Sequence, residues 1–200
     1  MGSHLPFSLP SAIRWDGRPS PLEATLKTQR LVLRALARND APEVQRLCNN
    51  WAVARMTSRI PHPYPDGLAE DWIAGLHDKE PDDSSAHFAL EHDSALIGIV
   101  GLEWRRSGSF EIGYWIGEPW WGRGLASEAA ACVVAFAFEQ LGVDELVAGH
   151  FVDNPASGRV LEKCGFRYSG EETEWSKARN SEVACRRFVL KRAWMQTAQR

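Results

Sequence analysis

The sequence predicts a mixed α/β domain in which one mixed sheet carries helices on its faces. Segments typical of strands and helices follow one another in the order βααβββαβαββ, with no internal repeat. Three of the adjacent strand segments are separated only by short turns, which predicts an antiparallel meander in the middle of the chain. A chain of 200 residues is long enough for one such domain and an extension.

The N-terminal part of the chain differs in composition from the rest. It is rich in Pro, Ser and Gly and has no hydrophobic periodicity, which is typical of an extended arm. We therefore assign residues 1–25 to an N-terminal extension and residues 26–194 to the folded domain.

The domain begins with one strand and two helices. Alternation of apolar and polar residues in Thr28–Leu36 predicts the strand. Apolar residues at spacings of three and four then predict a helix that runs to about Trp51, and a second helix covers Leu68–Leu76. Ile60–Gly67 contains three prolines in five residues, which remove main-chain donors and fix φ, so we expect a stiff loop there.

The meander follows. Its strands are predicted at His87–Glu91, Leu96–Glu103 and Ser109–Ile116. They are separated by Asp93-Ser94 and by Arg106-Ser107-Gly108, which have the composition of hairpin turns.

The second half of the chain supplies the largest helix. Leu125–Leu141 is rich in Ala, apolar nearly all round and stopped by Gly142, so we expect a buried helix. The remaining predicted elements are a strand at Glu145–Phe151, a helix at Asn154–Cys164, a strand at Phe166–Ser169 and a last strand at about Val183–Leu190.

Composition excludes several classes of protein. With 23 basic and 26 acidic residues, the chain lacks the charge of a bulk nucleic-acid binder. The longest apolar run, Ala129–Phe138, is about half of what a bilayer requires, so we expect no membrane association. The six histidines show no metal-ligand spacing, and we expect no metal. Four cysteines without a CxxC pair are interpreted as reduced core residues, which favours a cytoplasmic protein: Cys48, Cys132, Cys164 and Cys185.

One segment has the composition of a phosphate-binding loop. Trp121-Gly122-Arg123-Gly124-Leu125-Ala126 lies between a strand and a helix start, where main-chain N–H groups are unpaired and the helix dipole is positive. The two glycines allow a ligand to approach the main chain, and Arg123 can add a charge-assisted contact. The alternative is an ordinary tight turn into a helix. The segment lacks the Gly-Lys-Ser/Thr end of a Walker loop, and Ser127 stands where a Rossmann fingerprint requires Gly.

Three motifs in order resemble those of the GNAT N-acetyltransferases, in particular the branch similar to the ribosomal-protein N-terminal acetyltransferases RimJ and RimL. The first motif is Glu111–Ile116. The second is the acetyl-CoA loop pattern Gln/Arg-x-x-Gly-x-Gly/Ala, which falls on residues 121–126 with Trp121 in its first position. The third is Asn-x-x-Ser followed by Glu-Lys-x-Gly-Phe, at Asn154, Ser157 and Glu162–Phe166. The resemblance covers about residues 26–190.

The resemblance implies a GNAT fold, with a mixed, mostly antiparallel sheet, one splayed strand pair and helices on both faces. It also implies acetyl-CoA as cosubstrate, with its pyrophosphate on the loop amides and its pantetheine arm in the splay beside Trp115 and Ile116. The residues implied to contact it are Tyr114, Trp115, Ile116, Trp121, Gly122, Arg123, Gly124, Leu125, Ala126, Ser127, Asn154, Ser157 and Lys163. The implied partner is an amine, either a protein N-terminus or a small molecule, and the implied assembly is a monomer or homodimer.

Two carboxylates are candidates for the base. An α-amino group has a pKa of about 8 and a lysine of about 10.4, so the attacking amine must lose a proton. Glu111 and Glu103 lie on adjacent predicted strands near the expected centre, where either could accept that proton directly or through water. The alternative for both is a solvated or ion-paired side chain.

The leaving thiolate requires a hydrogen-bond or proton donor. Many GNAT enzymes use a tyrosine four residues before the Gly-Phe pair, but this chain has Leu161 there. In the RimL-like branch the serine of Asn-x-x-Ser is a candidate donor instead, and Ser157 matches it. The same residues are also expected to cap a helix at Asn154 with Pro155 in its first turn.

The acceptor side is less informative. Six aromatic side chains of this sequence fall on elements that border the acceptor groove in the family. We expect most of them to lie in the core: Trp51, Trp72, Trp104, Trp120, His62 and Tyr64. We expect specificity in two loops, Ile60–Gly67 and Glu171–Asn180.

Three functions therefore compete. The first is acetyl-CoA-dependent N-acetylation of a primary amine. The second is a catalytically silent GNAT-like module that binds CoA as a sensor, which Leu161 keeps open. The third is a phosphate-loop nucleotide binder.

Overall fold

One eight-stranded sheet organises the molecule, for which the computed structural model describes residues 24–77, 85–105 and 109–197. The strands are β1 (Leu26–Lys27), β2 (Val32–Ala35), β3 (Ser85–His92), β4 (Ala95–Trp104), β5 (Phe110–Ile116), β6 (Glu145–Phe151), β7 (Arg167–Ser176) and β8 (Ser181–Lys191). The helices are α1 (Ala41–Cys48), α2 (Trp51–Ala54), α3 (Leu68–His77), α4 (Leu125–Phe136, continued by a π-helical turn at Ala137–Leu141), α5 (Pro155–Lys163) and α6 (Arg192–Thr197). Short 3₁₀ turns lie at Arg38–Asp40 and Glu118–Trp120.

The sheet has the order β1-β2-β3-β4-β5-β6-β8-β7 and is antiparallel everywhere except between β5 and β6. Those two parallel strands pair only at their starts, Phe110 with Leu146 and Glu111 with Val147. Beyond these positions β5 and β6 separate, and we call the opening between them the split. The expected splayed strand pair is therefore confirmed.

Side chains alternate between the two faces of the sheet along each strand. Both faces carry apolar side chains, and helices cover both. Phe88 and Val100 belong to one core with α4, whereas the neighbouring Ala89 and Ile99 belong to a second core with α1 and α3. The apolar stretch that continues to Leu141 is accordingly a buried helix, as predicted. Burying both faces makes the central strands apolar over most of their length.

The first elements differ from the prediction. The strand expected over Thr28–Leu36 is two short strands joined by a turn, in which the Leu31 main-chain N–H donates to Thr28 Oγ1 at 2.9 Å. The helix expected to reach Trp51 ends at Cys48. A separate helix, α2, starts at Trp51 because the Asn50 side chain accepts a hydrogen bond from the Ala52 N–H at 2.8 Å.

The C-terminal hairpin also differs. β7 extends to Ser176, so much of the predicted loop Glu171–Asn180 is strand, and only residues 177–180 form the turn. β7 is an edge strand whose side chains are mostly exposed, and charged residues suit such an edge because they prevent pairing with other chains. Because the exposed part of β7 beyond Ser169 is polar, its composition resembles that of a loop, and the sequence did not predict that part as a strand.

Other predictions are confirmed. The Asp93-Ser94 turn joins β3 and β4 with both residues at positive φ, 50° and 64°, as a hairpin turn requires. The second predicted turn, residues 106–108, lies outside the described residues, as does most of the extension, residues 1–23. All four cysteines are free, and burial raises the pKa of the Cys48 thiol to about 12 and of the Cys164 thiol to about 11.

Candidate active site

Beyond Glu111, the edge of β5 that faces β6 has no strand partner, although the other edge stays paired with β4. Gly113 is exposed there, and a Cβ added to it would meet no atom within 4 Å. Tyr114 and Trp115 are only partly buried. An unpaired strand edge of this kind can hydrogen-bond an extended ligand with two amides, such as a pantetheine arm.

The predicted phosphate loop lies directly beyond the end of β5. Gly122 and Gly124 have φ of 75° and 77°, a left-handed conformation that glycine adopts without strain. Residues 121–124 are exposed, and α4 begins at Leu125. The N–H groups of the first helical turn have no partners within the helix and lie at the positive end of its dipole.

The other predicted loop residues lie at the start of α4. Leu125 is buried, whereas Ala126 and Ser127 are half-buried. No atom lies within 4 Å of a Cβ built on Gly122, so the loop is open. The main chain of Gly122–Ser127 therefore fits a diphosphate.

An ion pair that sequence reasoning missed anchors this loop. Arg30 donates through Nε to Glu128 Oε2 at 2.7 Å and through Nη1 to the Arg123 carbonyl oxygen at 2.9 Å. Thr28 Oγ1 donates to Glu128 Oε1 at 2.6 Å. Burial tends to raise the pKa of Glu128, but the hydrogen bonds from Thr28 and Arg30 lower it overall. Arg30 thus neutralises a carboxylate in the first turn of α4.

Trp121 connects the loop back to β5. Its indole N–H donates to the Ile116 carbonyl oxygen at 2.6 Å, while the side chain remains 46% exposed. The Ile116 carbonyl therefore already has one partner. The side chain of Arg123 is exposed and forms no ion pair with the residues that the structure describes.

The third motif faces the split from the side of β6. Asn154 precedes α5 and accepts a hydrogen bond from the Ser157 main-chain N–H at 3.2 Å, so the predicted helix cap is confirmed. The Tyr114 hydroxyl lies 3.0 Å from Ser157 Oγ and donates to the Ser157 carbonyl oxygen at 3.1 Å. β5 and α5 are thus linked through Tyr114, a contact that the sequence did not predict.

The far end of α5 lies beside the phosphate loop. Cys164 Sγ is 3.9 Å from the Ser127 carbonyl oxygen, and the neighbouring Lys163 side chain is exposed. Leu161, which replaces the family's tyrosine, is 1% exposed within the core. No polar group is therefore presented to the split from position 161.

The two candidate bases lie on adjacent strands, as predicted, and they lie opposite each other because Glu103 of β4 pairs with Glu111 of β5. Both are ion-paired. Glu111 is buried and bound by Arg105 and by Arg187, whose Nη2 lies 2.8 Å from Oε1.

Glu103 is bound by two other groups, Arg59 and His87, with His87 Nε2 at 3.3 Å. Burial by itself raises the pKa of the Glu103 carboxyl, but hydrogen bonds from His87 and Arg59 outweigh it and lower that pKa to about 2. Glu103 is therefore ionised at neutral pH and is a weak base.

Arg187 joins Glu111 to the C-terminal hairpin. It lies across Gly149 of β6, where a Cβ would come within 2.4 Å of its Nη1. It also pairs with Glu172 at 3.3 Å and with Glu174 at 3.8 Å. Sequence reasoning missed this network, since its members come from separate strands and share no spacing.

The open end of the split is crossed by residues 50–58, which we call the α2 segment. Asn50 Nδ2 donates to Glu118 Oε2 at 2.7 Å just after β5. Arg55 Nη2 donates to Asp153 Oδ2 at 2.8 Å just after β6. Arg179 of the β7–β8 turn also binds Asp153, at 3.0 Å.

The β7–β8 turn is fixed to the same segment by its main chain, because the Lys177 N–H donates to the Ser58 carbonyl oxygen at 2.9 Å. The α2 segment and the turn therefore form one wall over the split, on the face that α1 and α3 cover. An acceptor on this face would approach along that wall.

The predicted acceptor-side aromatics mostly belong to the core. Tyr64 is buried, and Trp72, Trp104 and Trp120 pack partly buried against the two cores. Trp51 is different: it is 46% exposed on the α2 segment, with its ring centroid 5.5 Å from that of His62. Trp51 thus differs from the other predicted acceptor-side aromatics in being exposed, and its ring packs against His62.

Two features are absent from the described residues. Within residues 24–77, 85–105 and 109–197, no three His, Cys, Asp or Glu side chains group so that they could hold a metal ion. In the same described ranges, every helix is too short or too polar to span a membrane.

Comparison with known proteins gives concordant results. A profile of the acetyltransferase (GNAT) domain matches residues 30–167. An uncharacterized N-acetyltransferase p20 of Bacillus licheniformis is 28% identical over 83% of this chain and 95% of its own. The [ribosomal protein uS5]-alanine N-acetyltransferase of Escherichia coli is 28% identical over 72% of this chain and 79% of its own.

Among solved structures, Mycobacterium smegmatis RimJ in complex with CoA-disulfide superimposes with a TM-score of 0.76 at 19% sequence identity, over 88% of this chain and 90% of that one. This likeness confirms the fold. Since the domain profile spans well over half of the sequence, the chain belongs to the GNAT acetyltransferase family.

Proposed function

We propose that the protein transfers the acetyl group of acetyl-CoA to a primary amine, and that its principal acceptors are N-terminal α-amines of proteins. The observation that carries this proposal is the open glycine loop at the start of α4, which leads directly into the split between β5 and β6. The relative that acetylates the alanine of ribosomal protein uS5 supports the choice of acceptor.

The cosubstrate would be held mainly by main-chain groups. The amides of Gly122–Ser127 would bind the diphosphate, and Arg123 and Lys163 would add positive charge. The pantetheine arm would pair with β5. Trp115 pairs with Ile99 of β4, and the Ile116 carbonyl already accepts from Trp121, so we expect the main chain of Tyr114 to supply most of that pairing.

The acceptor class follows from proton chemistry. With pKa values of about 8 and 10.4, an α-amine is about one-tenth neutral near pH 7, whereas a lysine is less than one-thousandth neutral. Both carboxylates at the split are ion-paired, and the pKa of Glu103 is about 2. A site whose carboxylates are both ion-paired suits an amine that loses its proton readily.

Glu111 is the proton acceptor that we favour. It occupies the last paired position of β5, where the split opens, so an amine attacking a thioester in the split would pass close to it. Arg105 and Arg187 hold its carboxylate in place. Glu103, on the neighbouring strand, would contribute a second negative charge that attracts the ammonium form.

Ser157 is the donor that we propose for the leaving thiolate. Its hydroxyl lies on the first turn of α5, beside the split, and Leu161 offers no alternative. A hydrogen bond to an ionised sulfur is stronger than one between neutral groups, so it would favour breakage of the C–S bond.

The test is thiol release from acetyl-CoA with a panel of acceptors, combined with mass detection of the acetylated product. The panel contains peptides with free N-terminal Ala, Ser or Met, the same peptides with blocked N-termini and an internal lysine, and small polyamines. We expect product from free N-termini. A silent CoA-binding module would bind CoA and release no thiol with any amine, and a nucleotide binder would prefer ATP or NAD to CoA.

A further inference from the structure

Tyr114 reaches across the split from β5 to the first turn of α5. Its ring packs against the core beneath α4. Its hydroxyl contacts Ser157 twice, at 3.0 Å from Oγ and at 3.1 Å from the carbonyl oxygen. Tyr114 is therefore tied to the serine that the proposed reaction uses.

The two hydroxyls have two protons to place, and two arrangements keep a hydrogen bond between the two hydroxyl oxygens. In the first, Tyr114 donates to the Ser157 carbonyl and Ser157 donates to Tyr114. In the second, Tyr114 donates to Ser157 Oγ, and the serine proton is free for a third partner. Only O–H rotations separate them, since both tyrosine contacts are within hydrogen-bond distance.

We propose that Tyr114 is a positioning residue for Ser157: it fixes the serine oxygen beside the split and, by donating to Oγ, frees the serine proton to hydrogen-bond the sulfur of CoA. This inference rests on the proposed transferase function. Many GNAT enzymes have a tyrosine at the position of Leu161 on α5. In this chain, Tyr114 of β5 would supply the tyrosine hydroxyl instead.

The surroundings of Tyr114 suit a permanent donor. Burial raises the pKa of its phenol, although the hydrogen bond with Ser157 opposes that change. The phenol consequently stays protonated at neutral pH and above. A tyrosine that ionised would instead repel a thiolate.

The reaction balances without a net proton from either hydroxyl. The amine nitrogen forms a bond to the thioester carbon, the C–S bond breaks, and its electron pair stays on the sulfur. The amine loses one proton to the base, and the sulfur finally gains one. Ser157 and Tyr114 donate hydrogen bonds and are unchanged at the end.

The experiment measures the bound thiol directly. CoA is bound to wild type, Tyr114→Phe and a control, Tyr168→Phe, and the thiolate absorbance is titrated with pH. Tyr168 is a matched control because it is an exposed tyrosine on β7. Phenylalanine keeps the ring of Tyr114 and removes only its hydroxyl.

We expect the thiol pKa of CoA to be lowered on binding to wild type and to Tyr168→Phe. In Tyr114→Phe it should rise by about one unit, a tenfold weaker preference for the thiolate. Desulfo-CoA, which lacks the sulfur, should bind wild type and Tyr114→Phe equally. With acceptor and acetyl-CoA, kcat should fall about tenfold in Tyr114→Phe while KM stays constant.

Three results would overturn the inference. If the pKa of the bound CoA thiol is unchanged in Tyr114→Phe, Tyr114 does not act on the sulfur. If Tyr114→Phe binds CoA and desulfo-CoA more weakly by the same factor, the role of Tyr114 is purely structural. Failure of wild type to bind CoA removes the proposed function as well. If Tyr114→Phe does not fold, Ser157→Ala takes its place: the inference then requires that the thiol pKa of bound CoA rise, and an unchanged value overturns it.

Discussion

Glu111 of β5 and Val147 of β6 form the last paired position between the two parallel strands, so the split opens at a buried carboxylate. Arg105 and Arg187 bind that carboxylate from two directions. A charge buried at this point would be costly without such partners. The same partners hold it where an amine in the split could reach it.

Glu111→Gln should lower kcat by about a hundredfold or more, because a positioned base contributes about 10²- to 10⁴-fold. Glutamine keeps the shape of the side chain and one acceptor oxygen, but its NH2 group can only donate, so one of the two arginines loses its acceptor. Urea unfolding of the variant therefore accompanies the kinetic measurement. The measurement is kcat for acetyl transfer to the best acceptor peptide.

Glu174→Gln is the matched control for Glu111→Gln. Glu174 also pairs with Arg187, at 3.8 Å, but it lies on β7 at the edge of the sheet. It should leave kcat within about threefold of wild type, since exposed ion pairs contribute little. If kcat fell equally in Glu111→Gln and Glu174→Gln, the loss would come from disturbing the ion pairs of Arg187 and not from removing a base.

Glu103 should make stability depend on pH in the acid range. Its pKa is about 2 in the fold against an ordinary value of 4.5, so the ionised form stabilises the fold above about pH 5, and this contribution is lost as the pH falls to about 2. The stabilisation is at most on the order of 3 kcal/mol. Urea unfolding of wild type and Glu103→Gln should differ most near pH 7, and the difference should shrink below about pH 4. A constant difference would contradict the prediction.

The fold was largely predictable because burial on two faces gives the central strands and α4 an apolar pattern that short sequence windows reveal. Turn chemistry at Asp93-Ser94 then predicted the antiparallel pairing of β3 with β4. The second half of β7, beyond the predicted strand Phe166–Ser169, was missed because an exposed edge strand carries polar residues on both faces. Its composition is indistinguishable from that of a loop.

The site was predictable only where one short segment determines it. The glycine turn before α4 and the Asn154 cap depend on neighbours along the chain, and the structure contains both. Contacts such as Arg187 with Glu111, or Tyr114 with Ser157, join residues from different elements. Such contacts depend on the strand order and on the width of the split, and a short stretch of sequence predicts neither.

Gly124→Val should abolish CoA binding, since a branched side chain would cover the amides at the start of α4 and φ of 77° is strained for valine. Gly142→Val is a control for the backbone strain, because φ of Gly142 is 73°. The space for a side chain is also similar: a Cβ at Gly142 would lie 3.9 Å from its nearest atom, and a Cβ at Gly124 would lie 3.6 Å from its nearest atom. Calorimetry should show lost CoA affinity for the first variant alone. If folded Gly124→Val kept its affinity, the loop would not be the diphosphate site.

Ser157→Ala should lower turnover about ten- to a hundredfold, with KM for acetyl-CoA nearly constant, because a hydrogen bond to a charged group is worth about 1.5–3 kcal/mol. Alanine keeps the main-chain N–H that Asn154 caps. Asn154→Ala provides the contrast, since losing the cap should cost about 1 kcal/mol of stability. Normal turnover in Ser157→Ala would leave the serine a purely structural role.

Arg30→Ala should weaken CoA binding about three- to tenfold by exposing the diphosphate to an unpaired Glu128, whose charge lies within the first turn of α4. The double variant Arg30→Ala/Glu128→Gln should recover most of the affinity, because it removes the repelling charge together with its partner. Added salt should reduce the loss in the single variant, since it screens exposed charges. Arg46→Ala breaks an exposed ion pair with Glu43 on α1 and should leave CoA affinity unchanged. If the double variant bound CoA as weakly as Arg30→Ala, the arginine would act by holding the Arg123 carbonyl, and not by neutralising Glu128.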